Sequence, residues 1–221
     1  AVWYFTGDDF NSKRNMKKAE EAFAAGELAS AKEFYEAALE RDDALTDAYL
    51  KLADMDMQEK PEEAVKTLLK GIKKTKDIEG AEALLTPKLQ EAYNAVIDAK
   101  MKQNAYDEAL AVLDEGIAEL GEETFKTKRI SVYNSMIDAK INNKDYSGAI
   151  ATASIAVDVT KDNSFNEKKA EVYSLQIKEA CETGDFYFAL GLVEQGYYET
   201  QSEKLLQAKS DMYAAWVNSY L

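Results

Sequence analysis

The chain carries few groups that could do chemistry. It has no His and a single Cys, Cys181. His-based acid–base catalysis is therefore excluded, as are His- or Cys-based metal sites and an internal disulfide. No Gly-rich phosphate loop is present. What remains is carboxylate, with 41 Asp and Glu against 27 Lys and Arg. A carboxylate pair can hydrolyse a glycosidic bond, but no pair is set apart by its surroundings. The 13 Tyr and 2 Trp could stack on sugar faces, yet most stand at positions that packing would claim. Cys181 reads as a small buried hydrophobe rather than a reactive thiol. The basic stretch from Lys70 to Lys76 is followed at once by Asp77 and Glu79, and it reads as a helix end whose lysines complement the dipole. The expectation is a non-catalytic protein with no cofactor and no metal, whose chemistry is recognition.

The charge narrows what is recognised. A net charge of -14 over 221 residues lacks the basic face that nucleic acid or anionic lipid requires. Hydrophobic residues make up 46% of the chain, with only 2 Pro and 10 Gly. A sandwich or barrel needs more turn punctuation than this, so the composition points to an all-α fold. The opening Ala1-Val2-Trp3-Tyr4-Phe5 is too short to span a bilayer, which takes about 20 apolar residues. Residues 1–11 read as an N-terminal segment flanking a membrane anchor before Ala1, since Trp and Tyr favour the membrane interface. The alternative is a short segment that packs its aromatics on the first helices. The anchor reading favours an extracytoplasmic, membrane-anchored location over a cytoplasmic one.

The sequence repeats itself. Tyr93, Tyr133, Tyr173 and Tyr213 recur at 40-residue intervals, and Tyr93-Asn94-Ala95-Val96-Ile97-Asp98-Ala99-Lys100 returns as Tyr133-Asn134-Ser135-Met136-Ile137-Asp138-Ala139-Lys140. A second phrase also recurs: Gly26-Glu27-Leu28, Asn104-Ala105-Tyr106, Lys144-Asp145-Tyr146 and Gly184-Asp185-Phe186, each followed three residues later by Ala, with a shortened form at Lys60-Pro61. Physically, one helix stops, a tight turn follows, and a second helix starts on an aromatic or Leu.

Helical spacing supports this. Tyr133, Met136, Ile137 and Ile141 form one apolar stripe, and Ala109, Val112, Leu113, Gly116 and Ile117 form another. Ala38, Gly71, Gly116, Ala156 and Gly196 each stand seven positions past a turn Ala, where two helices must come close. Pro61 and Pro87 are both expected at a first helical position, where Pro is tolerated. Leu85, Phe125, Phe165 and Leu205 recur in the entry to the later units and are expected to pack on the preceding unit.

The pattern resembles the tetratricopeptide repeat (TPR) family. Ala19 to Asp43 carries it best, through Gly26, Ala31, Tyr35 and Ala38, and Thr46 to Thr75 resembles a second unit. The later units depart from the family. Ile97, Ile137 and Ile177 replace its small residue, Lys100 and Lys140 replace its aromatic, and the period is 40 rather than 34. The extra residues lengthen the first helix or its entry. The resemblance implies an all-α, right-handed superhelical array of antiparallel helix hairpins, a TPR-like α-solenoid. Residues 12–221 would form one such domain of about five and a half units.

The resemblance also implies a surface. In the family, the first helices line a concave groove that binds a peptide or a partner protein. Its groove positions fall here on Leu50, Asp54 and Met57; on Asn94, Asp98 and Met101; on Asn134, Asp138 and Ile141; on Ser174, Lys178 and Cys181; and on Asn218. Asn can both donate to and accept from a peptide backbone. Asp54, Asp98 and Asp138 would make the groove acidic and favour a basic or amine-bearing partner. The Lys and Asn clamp of the chaperone-binding members is missing, since Leu50, Asp54, Asn94 and Asp98 hold those places. The function implied is a protein-interaction scaffold. The alternatives are a glycan or small-ligand module and assembly through the end units. At the C-terminus, Tyr213, Trp216, Val217, Tyr220 and Leu221 either pack as a cap or form a contact with a second copy or a partner.

Overall fold

The computed structural model describes residues 2–221, with side chains from Phe10 onward. Among them it contains eleven α-helices in series: α1 (Val2–Ala24), α2 (Leu28–Leu39), α3 (Thr46–Asp56), α4 (Pro61–Lys74), α5 (Ala81–Lys102), α6 (Tyr106–Leu120), α7 (Glu122–Asn142), α8 (Tyr146–Thr160), α9 (Ser164–Glu182), α10 (Phe186–Thr200) and α11 (Lys204–Asn218). The fold is all-α, a succession of helix hairpins. Two compact units make it up, Ala1–Phe125 and Lys126–Leu221. The boundary expected after residue 11 falls within α1, and Trp3, Tyr4 and Phe5, on which the anchor reading rests, lie outside the described side chains. No described helix is long and apolar enough to cross a membrane.

The repeated turn phrase folds the same way four times. Gly26, Asn104, Lys144 and Gly184 all take the left-handed conformation, with φ of 78°, 58°, 58° and 80°. The residue after each sits near φ -85°, ψ 65°: Glu27 at -84° and 66°, Ala105 at -84° and 61°, Asp145 at -83° and 68°, and Asp185 at -87° and 68°. Each turn is closed by a pair of bonds. Glu27 N–H donates to Ala22 O and Gly26 N–H to Phe23 O, and the same pairs link Ala105 to Lys100, Asn104 to Met101, Asp145 to Lys140, Lys144 to Ile141, Asp185 to Ala180 and Gly184 to Cys181. This is the Schellman arrangement, which satisfies the last carbonyls of a helix. Lys60 differs: its φ is -141°, and it caps α4 with Pro61 at the first position. Pro87 corrects the sequence reading, for it lies inside α5, at the seventh residue, and not at a helix start. α5 begins at Ala81 because Gly80 supplies a left-handed turn there (φ 78°).

In three hairpins the core is one contact repeated. Tyr49, Tyr93, Tyr133 and Tyr173 are buried on their first helices. Facing Tyr49, Tyr93 and Tyr173 from the second helices are Gly71, Gly116 and Gly196, three of the small residues that the spacing picks out. A methyl group at Gly71 would lie 2.8 Å from Cγ and 3.0 Å from Cβ of Tyr49, and one at Gly196 would lie 2.8 Å from Cγ of Tyr173. At Gly116 it would meet Phe125 at 2.9 Å and Tyr93 at 3.2 Å. Leu85, Phe125, Phe165 and Leu205 are fully buried, as expected. Phe125 stands edge-on to Tyr93 at 6.0 Å, and Phe165 edge-on to Tyr133 at 6.2 Å. Leu205 lies in the core formed by Tyr173, Ile177 and Val193. The extra residues of the later units are helical and carry these anchors, for α5, α7 and α9 have 22, 21 and 19 residues against 11 in α3.

At the C-terminal end the two alternatives divide. Trp216 packs: its ring stacks on Phe186 at 5.5 Å and on Tyr213 at 6.4 Å, with Tyr187 edge-on at 5.1 Å. Val217, Tyr220 and Leu221 remain exposed.

Two measurements check this core. Gly71→Ala should lose about 1 kcal/mol in urea unfolding, because overpacking costs about 1–3 kcal/mol and outweighs the gain of about 1 kcal/mol in helix propensity. Gly191→Ala, in α10 with open space around the new methyl, should instead gain about 1 kcal/mol. Burial also pushes the hydroxyls of Tyr35, Tyr49, Tyr93 and Tyr173 above the ordinary phenol range. Their raised folded-state pKa means that the unfolded chain gives up these protons first, so stability is intact below pH of about 10 and falls as pH rises beyond it. Phenolate absorbance of the buried four should rise only as helical circular dichroism is lost.

Candidate functional site

The first helices present the expected groove residues in a constant pattern. Leu50, Asn94, Asn134 and Ser174 are half-buried; Asp54, Asp98, Asp138 and Lys178, one turn on, are exposed; Met57, Met101, Ile141 and Cys181 are half-buried again. The pattern follows from helical spacing beside a buried Tyr one position before the first of each set. Met57 lies one residue beyond α3, and Asn218 ends α11, fully at the surface.

The structure gathers some of these residues into clefts. In the C-terminal unit, Ser174, Lys178 and Cys181 of α9 face Ala208, Asp211 and Met212 of α11 across a cleft of about 660 Å³. Its floor is Ile177, Met212 and Ala215, and its rim pairs two cations, Lys178 and Lys204, with two anions, Glu182 and Asp211. In the N-terminal unit, Leu50 and Asp54 of α3 face Leu84, Pro87 and Lys88 of α5 across a smaller cleft of about 410 Å³. Asn94, Asp98 and Met101 lie on α5, and Asn134, Asp138 and Ile141 on α7.

The electrostatics differ from the sequence reading. Asp54 pairs with Lys88 at 3.0 Å and Asp138 with Lys168 at 2.6 Å. Asp54 and Asp138 thus spend their charge on the next first helix of their own unit, and the acidic column is not bare. Lys88 is held in its charged form, chiefly by hydrogen bonds to Glu91 and Asp54. Asn134 donates to Ile130 O on its own helix at 3.1 Å, and Ser174 donates to Ala170 O at 2.9 Å, so both polar groups are partly occupied. Lys74, in the basic stretch, pairs with Asp43 and ends α4 as expected.

Sequence reasoning missed the opposing walls, Leu84, Pro87 and Lys88 in one cleft and Ala208, Asp211 and Met212 in the other. One signal was available, for Lys88, Lys128 and Lys168 recur at the 40-residue period. No feature of the sequence marked Ala208 or Met212 as cleft residues. Among the described residues no cluster of His, Cys, Asp or Glu could hold a metal ion.

No protein-family model and no curated protein matches the sequence. Among solved structures the chain is similar to a thermophilic TPR protein of Thermus thermophilus, at 16% identity with a TM-score of 0.33, over 93% of this chain and 99% of that one. It is also similar to the PilF protein of Pseudomonas aeruginosa, at 15% identity with a TM-score of 0.29 over the same shares. Neither likeness assigns a site.

Cys181 offers a direct reading of the larger cleft. Burial raises its thiol pKa, with Glu182 adding to the effect. At neutral pH its alkylation should run slower than that of a free cysteine peptide, since the thiolate is the reactive form. Unfolding in urea should remove the difference.

Proposed function

We propose that this chain is a non-catalytic protein-interaction scaffold that holds a segment of a partner protein along its first helices. The observation that carries the reading is the cleft between α9 and α11. It is walled by apolar side chains, has a few polar groups at its rim, and has the size that ligand sites take. Ser174, Lys178 and Cys181 line it, the residues on which the family resemblance places the groove. The smaller cleft at Leu50 and Asp54 is a surface of the same kind in the N-terminal unit. A balanced rim of Lys178, Lys204, Glu182 and Asp211, together with the pairing of Asp54 and Asp138, favours a partner segment with apolar anchors over a strongly basic one.

Peptides selected from a random display library on the purified chain should lose affinity by about tenfold or more on Ala208→Trp, which fills the cleft, with helical circular dichroism unchanged. The same peptides should bind Val217→Glu as tightly as the unaltered chain. Selected peptides that ignore Ala208→Trp would remove the cleft from the binding surface.

A further inference from the structure

Ion pairs tie successive first helices together like rungs. Asp54 of α3 meets Lys88 of α5 at 3.0 Å, and Asp138 of α7 meets Lys168 of α9 at 2.6 Å. Lys88 and Lys168 hold the same place in the repeat, two periods of 40 residues apart. Their side chains are only 31% and 26% exposed. The aliphatic stems therefore lie along the groove while the ammonium groups reach the carboxylates.

The rung between α9 and α11 is built differently. Lys178 stands where Asp54 and Asp138 stand, and Ala208 stands where Lys88 and Lys168 stand. No lysine stem covers this floor of Ile177, Met212 and Ala215, and the cleft is about 660 Å³ against about 410 Å³ beside Asp54 and Lys88. Both walls of the cleft are in place, so what opens it is a side chain and not a missing helix. Lys178 is left as a cation on the rim. Its side chain is 75% exposed, and its ion pair among the described residues is a loose contact of 4.0 Å with Glu182 of its own helix.

We propose that, resting on the α9–α11 cleft as the binding surface, the bound segment completes this rung. It is a peptide with one apolar side chain that covers the floor beside Ala208 and one Asp or Glu close to it that pairs with Lys178. The two parts answer the two exchanges. Ala208 takes away the stem, so the partner supplies the apolar area. Lys178 reverses the sign of the column, so the partner supplies an anion. Glu182 and Asp211 stand on the same rim and repel further acids, so a single carboxylate beside the anchor fits where an acidic run does not.

The probes are the peptides selected on the unaltered chain from a random display library. Those that Ala208→Trp weakens should carry an Asp or Glu beside an apolar residue more often than the library does. Lys178→Asp, at an exposed position, should weaken them by about fivefold or more, the size of one exposed charge contact. Replacing the peptide's acid by Lys should restore binding to that variant. Lys178→Asp combined with Ala208→Lys rebuilds the rung of the earlier helices and should weaken the selected peptides by about tenfold or more, with helical circular dichroism unchanged. Cleft-bound peptides that lack the acid, or that Lys178→Asp or the rebuilt rung leaves unaffected, would overturn the proposal while leaving the cleft as the binding surface. Selected peptides that ignore Ala208→Trp, or a selection that yields no binder, would overturn the cleft and the rung together.

Discussion

The fold depends on an aromatic side chain packed against backbone. In the hairpins α3–α4, α5–α6 and α9–α10 a tyrosine on the first helix lies under a glycine of the second, where there is too little space for a methyl group. That contact sets how closely the two helices approach. It also explains why the tyrosines recur, because a large flat ring fills the space between helices that a close backbone crossing leaves. The later units add a second constraint. An apolar side chain from the next helix entry, Phe125, Phe165 or Leu205, closes on the same tyrosine. A hairpin of this kind is therefore finished only by its successor, which is the nearest-neighbour stability of repeat proteins.

The same dependence creates the functional surfaces. First helices set side by side leave clefts between them, because the residues that face inward alternate between half-buried and exposed along each helix. The cleft between α9 and α11 is apolar because its floor is the underside of the core, from Ile177 to Met212. Its rim is electrically balanced. The ion pairs of Asp54 with Lys88 and of Asp138 with Lys168 link successive first helices. As half-exposed pairs each is worth at most about 1 kcal/mol; their consequence is that they remove two negative charges from the surface a partner would meet.

Much of the fold was legible in the residues. The four left-handed turns follow from Gly26, Asn104, Lys144 and Gly184 at the end of helical stripes, and the close crossings from small residues seven positions past the turn. Pro87 was misread because Thr86 is a plausible cap, while the left-handed Gly80 starts the helix six residues earlier. The groove was legible only in half. Positions on one helix follow from a period of 3.6 residues. The wall across a cleft depends on how the next hairpin is set down, which no local pattern encodes.

The sequence by itself determined that the protein is helical, repetitive and poor in catalytic groups, and it named the residues that the hairpins bury. Those are properties of spacing and side-chain volume, and they read directly along the chain. The tertiary structure alone decided where charge is spent and which apolar faces stay open. Asp54 and Asp138 are acidic in sequence and paired in space. Tyr213 and Tyr173 are one repeat apart, yet only Tyr173 is covered, because burial belongs to the neighbour that packs and not to the residue that is packed.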